Sequence, residues 1–259
     1  MTARTHISAA LACATLVLAG GCVQIESSLS IEPNGSGRLH YVYGMSDQML
    51  AQLDGMRSLA RQLDDAQGKP SGVATNQDLA TPSPFEESAV RKALKAYESY
   101  GIALESLKFT RRNDWKFVDV VVSFKNVAAL SRAPFLGDTV FELTQPAEGA
   151  CRLTQKYLNG AEPLDITDPE IQKNVMPILA GLKVTVAVTT PGRILESNAQ
   201  KRAEQTVMWE VDIDRNPEVI RNYQRDGLYV AFEAKGLKID AGAKDGGAAP
   251  GKIPVPSGK

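Results

Sequence analysis

The stretch "VQIESSLSIEPNGSGRLHYVYGM", residues 23–45, alternates apolar and polar side chains on either side of a tetrapeptide suited to a tight turn. Val23, Ile25, Ser27, Leu29 and Ile31 fall on one face and Gln24, Glu26 and Ser28 on the other, the period of two of a half-buried strand. Asn34 and Gly35 open the turn "NGSG" because both tolerate positive φ, and "RLHYVYGM" returns as a second strand. The same reading repeats downstream. "IALESLKFTRRNDWKFVDVVVSF" gives two strands around a turn at Arg111 to Asp114, and its segment "FVDVVVSF", apolar on both faces, is expected inside a sheet rather than at its border. "TVFELTQ" and "CRLTQKYL" form a further hairpin across "PAEGA", and "KVTVAVTTPG", "RILESNA", "QTVMWEVDI" and "GLYVAFEAKG" read as strands.

Helical periods separate these hairpins. Across residues 46–64, Met49, Leu50, Leu53, Met56, Leu59, Ala60 and Leu63 recur at three- and four-residue steps. The Gly, Pro, Ser and Thr of residues 64–82 then read as a mobile surface loop. A second helix is expected from Ser83 as N-cap, with Pro84 in the first turn, Glu86 completing a capping box, Val90, Leu94 and Tyr97 as its buried stripe, and Gly101 closing it. "DPEIQKNVMPILAGL" is helical up to the break that Pro177 imposes, and "NPEVIRNYQ" is a short helix before the last strand. The fold class is α+β: antiparallel sheets built from hairpins, with several short helices packed on one side.

A chain of 259 residues with 43% hydrophobic and 23% charged residues is ordinarily globular. Its formal charge is −1, and Lys and Arg are spread along the chain rather than collected in a block, which argues against a nucleic-acid partner. Residues 1–21 read as an export signal, with Arg4 as the positive charge, "ISAALACATLVLA" as an apolar region too short to anchor in a bilayer, and Gly20 and Gly21 before a cysteine. "LAGGC" resembles a lipobox, the site at which bacterial lipoproteins are lipidated on a cysteine thiol and cut just before it. Leu18 stands four residues ahead of the cysteine and Ala19 occupies the position three ahead. The resemblance implies a diacylglyceryl Cys22 as the first mature residue, an envelope domain over 22–238 and a membrane as partner. The Gly, Ala, Pro and Lys of residues 239–259 read as a disordered tail.

Chemistry-bearing motifs are sparse. Cys13 lies in the removed segment and Cys22 is blocked by lipid, so Cys151 has no partner for a disulfide and reads as a buried, inert thiol. His40 is the one histidine of the mature chain, and no metal-ligand spacing accompanies it. "DIDRN" at 212–216 opens like a calcium loop, but Pro217 and Tyr223 stand where Gly and Glu are needed, so Asp214 and Asn216 are read as caps of the following helix. Trp115 and Trp209 sit in strand patterns that packing explains. No catalytic residue, metal or cofactor is assigned, and a non-catalytic role is favoured over an enzyme.

Pro191 and Gly192, Ser197 and Asn198, and Trp209 follow in the order Pro-Gly turn, Ser-Asn turn and strand tryptophan. Together with the lipidation motif and the immediate first strand, they resemble bacterial lipoproteins of the LppM-like kind. That resemblance implies an envelope α+β domain with affinity for lipids and no catalytic residues. With strand one starting at Val23, the first hairpin and the sheet edge it is expected to form lie within about a nanometre of the headgroups. Val23, rather than Asp, after the cysteine favours the periplasmic face of the outer membrane over the inner membrane. The expected function is non-catalytic binding of a lipid or an envelope protein at the membrane surface. Met49 and Met56 are the candidate contact residues, because thioethers adapt to irregular apolar partners. The competing reading of their helix is packing on the sheet. A structural part of an envelope assembly, or a hydrolase with an unrecognised carboxylate site, are the alternatives.

Overall fold

The computed structural model describes residues 23–66, 85–133, 139–157 and 165–234, with the side chains at 56, 57, 59–66, 157 and 178 outside that description. In chain order the strands are β1 (Val23–Ile31), β2 (Gly37–Ser46), β3 (Ile102–Arg112), β4 (Trp115–Phe124), β5 (Thr139–Ala147), β6 (Ala150–Tyr157), β7 (Lys183–Thr189), β8 (Ile194–Ser197), β9 (Lys201–Arg202), β10 (Thr206–Asp212) and β11 (Leu228–Glu233). The helices are α1 (Asp47–Ala66), α2 (Glu87–Ala96), α3 (Pro169–Asn174), α4 (Met176–Leu179) and α5 (Glu218–Asp226). A seven-stranded sheet runs β3-β4-β2-β1-β7-β10-β9, and a four-stranded sheet runs β5-β6-β11-β8. The α+β class and the hairpins are as the sequence predicts.

The first hairpin pairs Val23 with Met45 and Ile31 with Gly37. Its turn closes through the Gly35 N–H, which donates to the Glu32 carbonyl at 2.9 Å with Gly35 at φ 81°. Asn113 at φ 52° makes the β3–β4 turn, a conformation Asn tolerates better than most side chains. β4 lies between β2 and β3, the internal position expected of a strand with valines on both faces.

Two placements differ from expectation. β1 is the middle strand of its sheet rather than an edge, and its second neighbour, β7, runs parallel to it with Gln24 opposite Lys183 and Ser30 opposite Thr189. A hairpin pattern names one partner of a strand. The second comes from a segment more than 150 residues away, once burial of both flanks of β1 is added.

Side chains in register across six strands, Leu104, Val122, Leu39, Leu29, Val188 and Val207, form one apolar row on the inner face of the large sheet. All but Leu104 are buried, and each such burial contributes roughly 1.5–3 kcal/mol. Phe141, Leu153 and Val230 of the small sheet, Leu94 of α2 and Tyr97 at its C-cap, and Val127 and Leu130 of the 3-10 turn Val127–Arg132 join the same core. The opposite face carries Glu26, Ser28, His40, Asp119 and Glu210, as expected of an antiparallel sheet solvated on one side.

Helix ends refine the sequence reading. α1 runs to Ala66, so residues 64–66 are helical rather than loop, and the rest of the expected loop lies outside the described residues. Glu86 is itself the extended N-cap residue of α2 and makes no capping bond, so it cannot close a capping box from the third helical position; Ser83 and Pro84 lie outside the described residues. Its carboxylate instead accepts from the Ser88 hydroxyl at 2.9 Å. Gly101, at φ 81°, closes the 3-10 turn Glu98–Tyr100 that follows α2. Asp168 caps α3 by accepting from the Glu170 and Ile171 N–H groups, and the break before Pro177 separates α3 from α4. Asp214 and Asn216 do not cap α5, which starts behind Pro217 without a side-chain cap. Asp214 accepts from the Gly181 N–H at 2.9 Å and Asn216 from the Asp212 N–H at 2.9 Å, so both tie the end of β10 in place.

Candidate functional site

β7 and β10 present Val184, Val186, Trp209 and Val211 on the inner face, while α5 turns Ile220, Tyr223 and Gln224 toward them and Leu228 opens β11 beside them. These side chains line a partly open cavity of ≈ 200 Å³. It arises because Ile220 and Tyr223, three residues apart, bridge from a short helix onto a flat valine surface without filling it. A dry cavity of about 150 Å³ accommodates a benzene ring, whereas pockets for drug-sized ligands start near roughly 300 Å³. The space suits a short apolar group.

Trp209 is fixed from behind. Its indole N–H donates to Asn198 Oδ1 at 2.9 Å, and the same oxygen accepts the Tyr229 N–H at 3.0 Å. The Asn198 amide donates to the Gly227 carbonyl at 2.8 Å. One side chain therefore joins β10 to the start of β11, next to Leu228. The Ser-Asn turn and the strand tryptophan singled out in the sequence meet here. The Pro-Gly turn is also structural: a Cβ at Gly192 would stand 1.9 Å from the Glu233 carbonyl oxygen, so only glycine lets this corner approach β11.

The cavity offers little polarity. The Trp209 donor is used by Asn198, and burial pushes the Tyr223 hydroxyl up to about 12, against a smaller lowering by its hydrogen bond with Gln200. Tyr223 is therefore neutral near pH 7. Among the described residues no buried side-chain nitrogen or oxygen lacks a partner, so an occupant would be held by contact and exclusion from water rather than by hydrogen bonds.

The cavity lies near the end of the sheet at which the chain enters. Val184 is level with Ile25 and Val186 with Ser27 on the neighbouring β1. Val23, the first described residue, is two residues from Ile25 at this end of β1.

The residues named from sequence are elsewhere. Cys22 lies outside the described residues, as does the Met56 side chain. Met49 is half-buried in the first turn of α1, where its N–H donates to the Ser46 hydroxyl at 3.2 Å and makes Ser46 the N-cap. Among the α1 side chains that are described, at 47–55 and 58, none belongs to the core or packs against it. Cys151 is 2% exposed, and burial pushes its thiol pKa up, which makes the thiolate scarce. His40 Nε2 lies 3.0 Å from Asp119 Oδ1 on the solvated face, away from the cavity. Among the described residues no three His, Cys, Asp or Glu side chains cluster as a metal site would require.

No protein-family model matches this chain, and no curated protein does. Among solved structures, it is similar to the folded domain of the Mycobacterium tuberculosis protein LppM, determined by NMR, with 10% identity and a TM-score of 0.40 over 85% of this chain and 94% of that one. No residue role is carried over at that distance.

Proposed function

We propose that the protein is a lipid-anchored component of the bacterial cell envelope that holds a small apolar group, non-covalently, in the cavity between β7, β10 and α5. The observation that carries this reading is the cavity: partly open and walled by valines, Trp209, Ile220 and Tyr223, with no charged group in its wall. The lipidation motif before β1 supplies the envelope address, and the lack of Asp after Cys22 favours the periplasmic face of the outer membrane. The cavity's volume limits the occupant to the end of an acyl chain, or to one apolar side chain of an envelope protein.

The test is thermal stabilisation of the purified full chain by small apolar probes, benzene and p-xylene, against Val184→Phe, which fills the space from a half-buried wall position. Selective binding to the native state raises the melting temperature in proportion to the logarithm of probe concentration. Wild type should respond and Val184→Phe should not, while keeping its own melting temperature. Equal responses in both proteins, or none in either, would overturn the binding reading.

A further inference from the structure

We propose that the tip of the β3–β4 hairpin is a preorganised docking platform for an anionic bilayer surface, which fixes how the domain lies on the membrane. Residues 108–116 carry four basic side chains, Lys108, Arg111, Arg112 and Lys116, against one acidic side chain, Asp114, in a chain whose overall charge is −1. Sequence reading took the cations as evenly spread, and along the chain they are. The register concentrates Arg111, Arg112 and Lys116 at one end of the sheet, while Lys108 stands farther in, opposite Asp119.

Val23 pairs with Met45, Met45 with Lys116 and Lys116 with Arg111. At about 4.8 Å per strand, Lys116 lies about 10 Å and Arg111 about 14 Å from Val23, in one row across the sheet end. The chain preceding Val23 leaves from that same end. The inference rests on the anchoring half of the proposed function, and it is independent of the cavity.

The tip has the chemistry of an interfacial contact as well as the charge. Trp115 is half-buried and stacked on Phe117, with ring centroids 5.7 Å apart and planes at 16°. The Arg112 guanidinium lies 5.7 Å from the Phe117 centroid. Tryptophan and arginine suit the headgroup zone, where an aromatic body meets lipid and a cation meets phosphate. The platform is also rigid. The Phe117 ring lies over Gly44, where a Cβ would come within 2.4 Å of it. The Asp47 N–H donates to the Asp114 carbonyl at 2.7 Å, and Arg111 pairs with the Asp47 carboxylate, so the tip is clamped to the β2–α1 junction. That pair offsets part of the charge of Arg111 and leaves Arg112 and Lys116 as the main phosphate contacts. A surface already ordered before contact loses little entropy on docking.

The experiment places the full lipidated chain in vesicles containing phosphatidylglycerol, with phospholipids brominated in the upper acyl region, and reads tryptophan quenching. Trp209 is 2% exposed and serves as the unquenched background. Wild type should be quenched, Trp115→Phe should not, and Arg112→Ala with Lys116→Ala should fall to the Trp115→Phe level while keeping the wild-type melting temperature. Replacing phosphatidylglycerol by phosphatidylcholine, or raising salt, should weaken the quenching of wild type. Quenching that is absent, or indifferent to lipid charge and to the double substitution, in vesicles that still carry the chain on flotation overturns the platform and leaves anchoring intact. Failure of the chain to float with the vesicles overturns both.

Discussion

Asn198 is the residue on which the candidate site turns, because its carboxamide satisfies one indole donor on β10 and two backbone groups at the start of β11. Asn198→Ala leaves the Trp209 N–H buried beside an apolar methyl group, and at roughly 0.5–1.5 kcal/mol per hydrogen bond the expected loss is about 2–4 kcal/mol. Asn198→Asp keeps the acceptor for Trp209 and Tyr229 and loses only the donor to Gly227, so it should recover part of that stability. Urea unfolding of the full chain measures both; equal midpoints for wild type and Asn198→Ala would show that the network holds nothing in place. Gln200 has a similar local role at the border of the large sheet, where its amide bonds both the N–H and the carbonyl of Glu210 beyond the end of the two-residue β9. It occupies hydrogen-bonding groups that would otherwise present an open strand edge.

At the scale of elements, the contrast between α1 and α2 decides what the methionine-bearing stripe can do. α2 contributes Leu94, 2% exposed, to the core, and Phe85 and Val90 pack against that core. α1 springs from the end of β2 behind its Ser46 cap, and Met49, Leu50 and Leu53 are only half-buried. Leu94→Ala should therefore cost about 2–5 kcal/mol, whereas Met49→Ala and Leu53→Ala should each cost under about 1 kcal/mol. Melting temperatures of the three variants check this. A loss at Leu53 as large as that at Leu94 would make α1 a structural helix and remove Met49 from any contact surface. A shallow response leaves α1 an amphipathic helix that begins beside the β3–β4 tip, at the end of the sheet where Val23 lies.

For the whole molecule, the position of β1 matters most. It is the first described strand and the centre of the large sheet, so that sheet closes only after β7 arrives from far along the chain. Such a long-range parallel pairing is slow to form. The proposed attachment at Cys22 belongs to the same scale, because one thiol would set the address of the whole domain. In cells supplied with radioactive palmitate, wild type and Cys151→Ser should be labelled and membrane-bound, while Cys22→Ser should remain an unlabelled precursor. Label on Cys22→Ser equal to wild type would sink the lipid anchor and, with it, the orientation assigned to the hairpin tip.

Local patterns carried the hairpins, the inner valine faces, the break at Pro177 and the burial of Cys151, since each depends on neighbours a few residues away. The motif residues Asn198 and Trp209 were visible too, though not their contact. What the sequence left undetermined has one physical character: it depends on segments brought together only by folding. The parallel partner of β1 is of this kind, as are the turning of Asp214 toward Gly181 and the gathering of Arg111, Arg112 and Lys116 at the sheet end that Val23 enters. The cavity is the extreme case. It is space left between β7, β10 and α5 when a short helix spans two strands, and no residue type marks an unfilled volume in advance. The α+β class could be read along the chain; the cavity proposed to hold an apolar group was decided by tertiary packing.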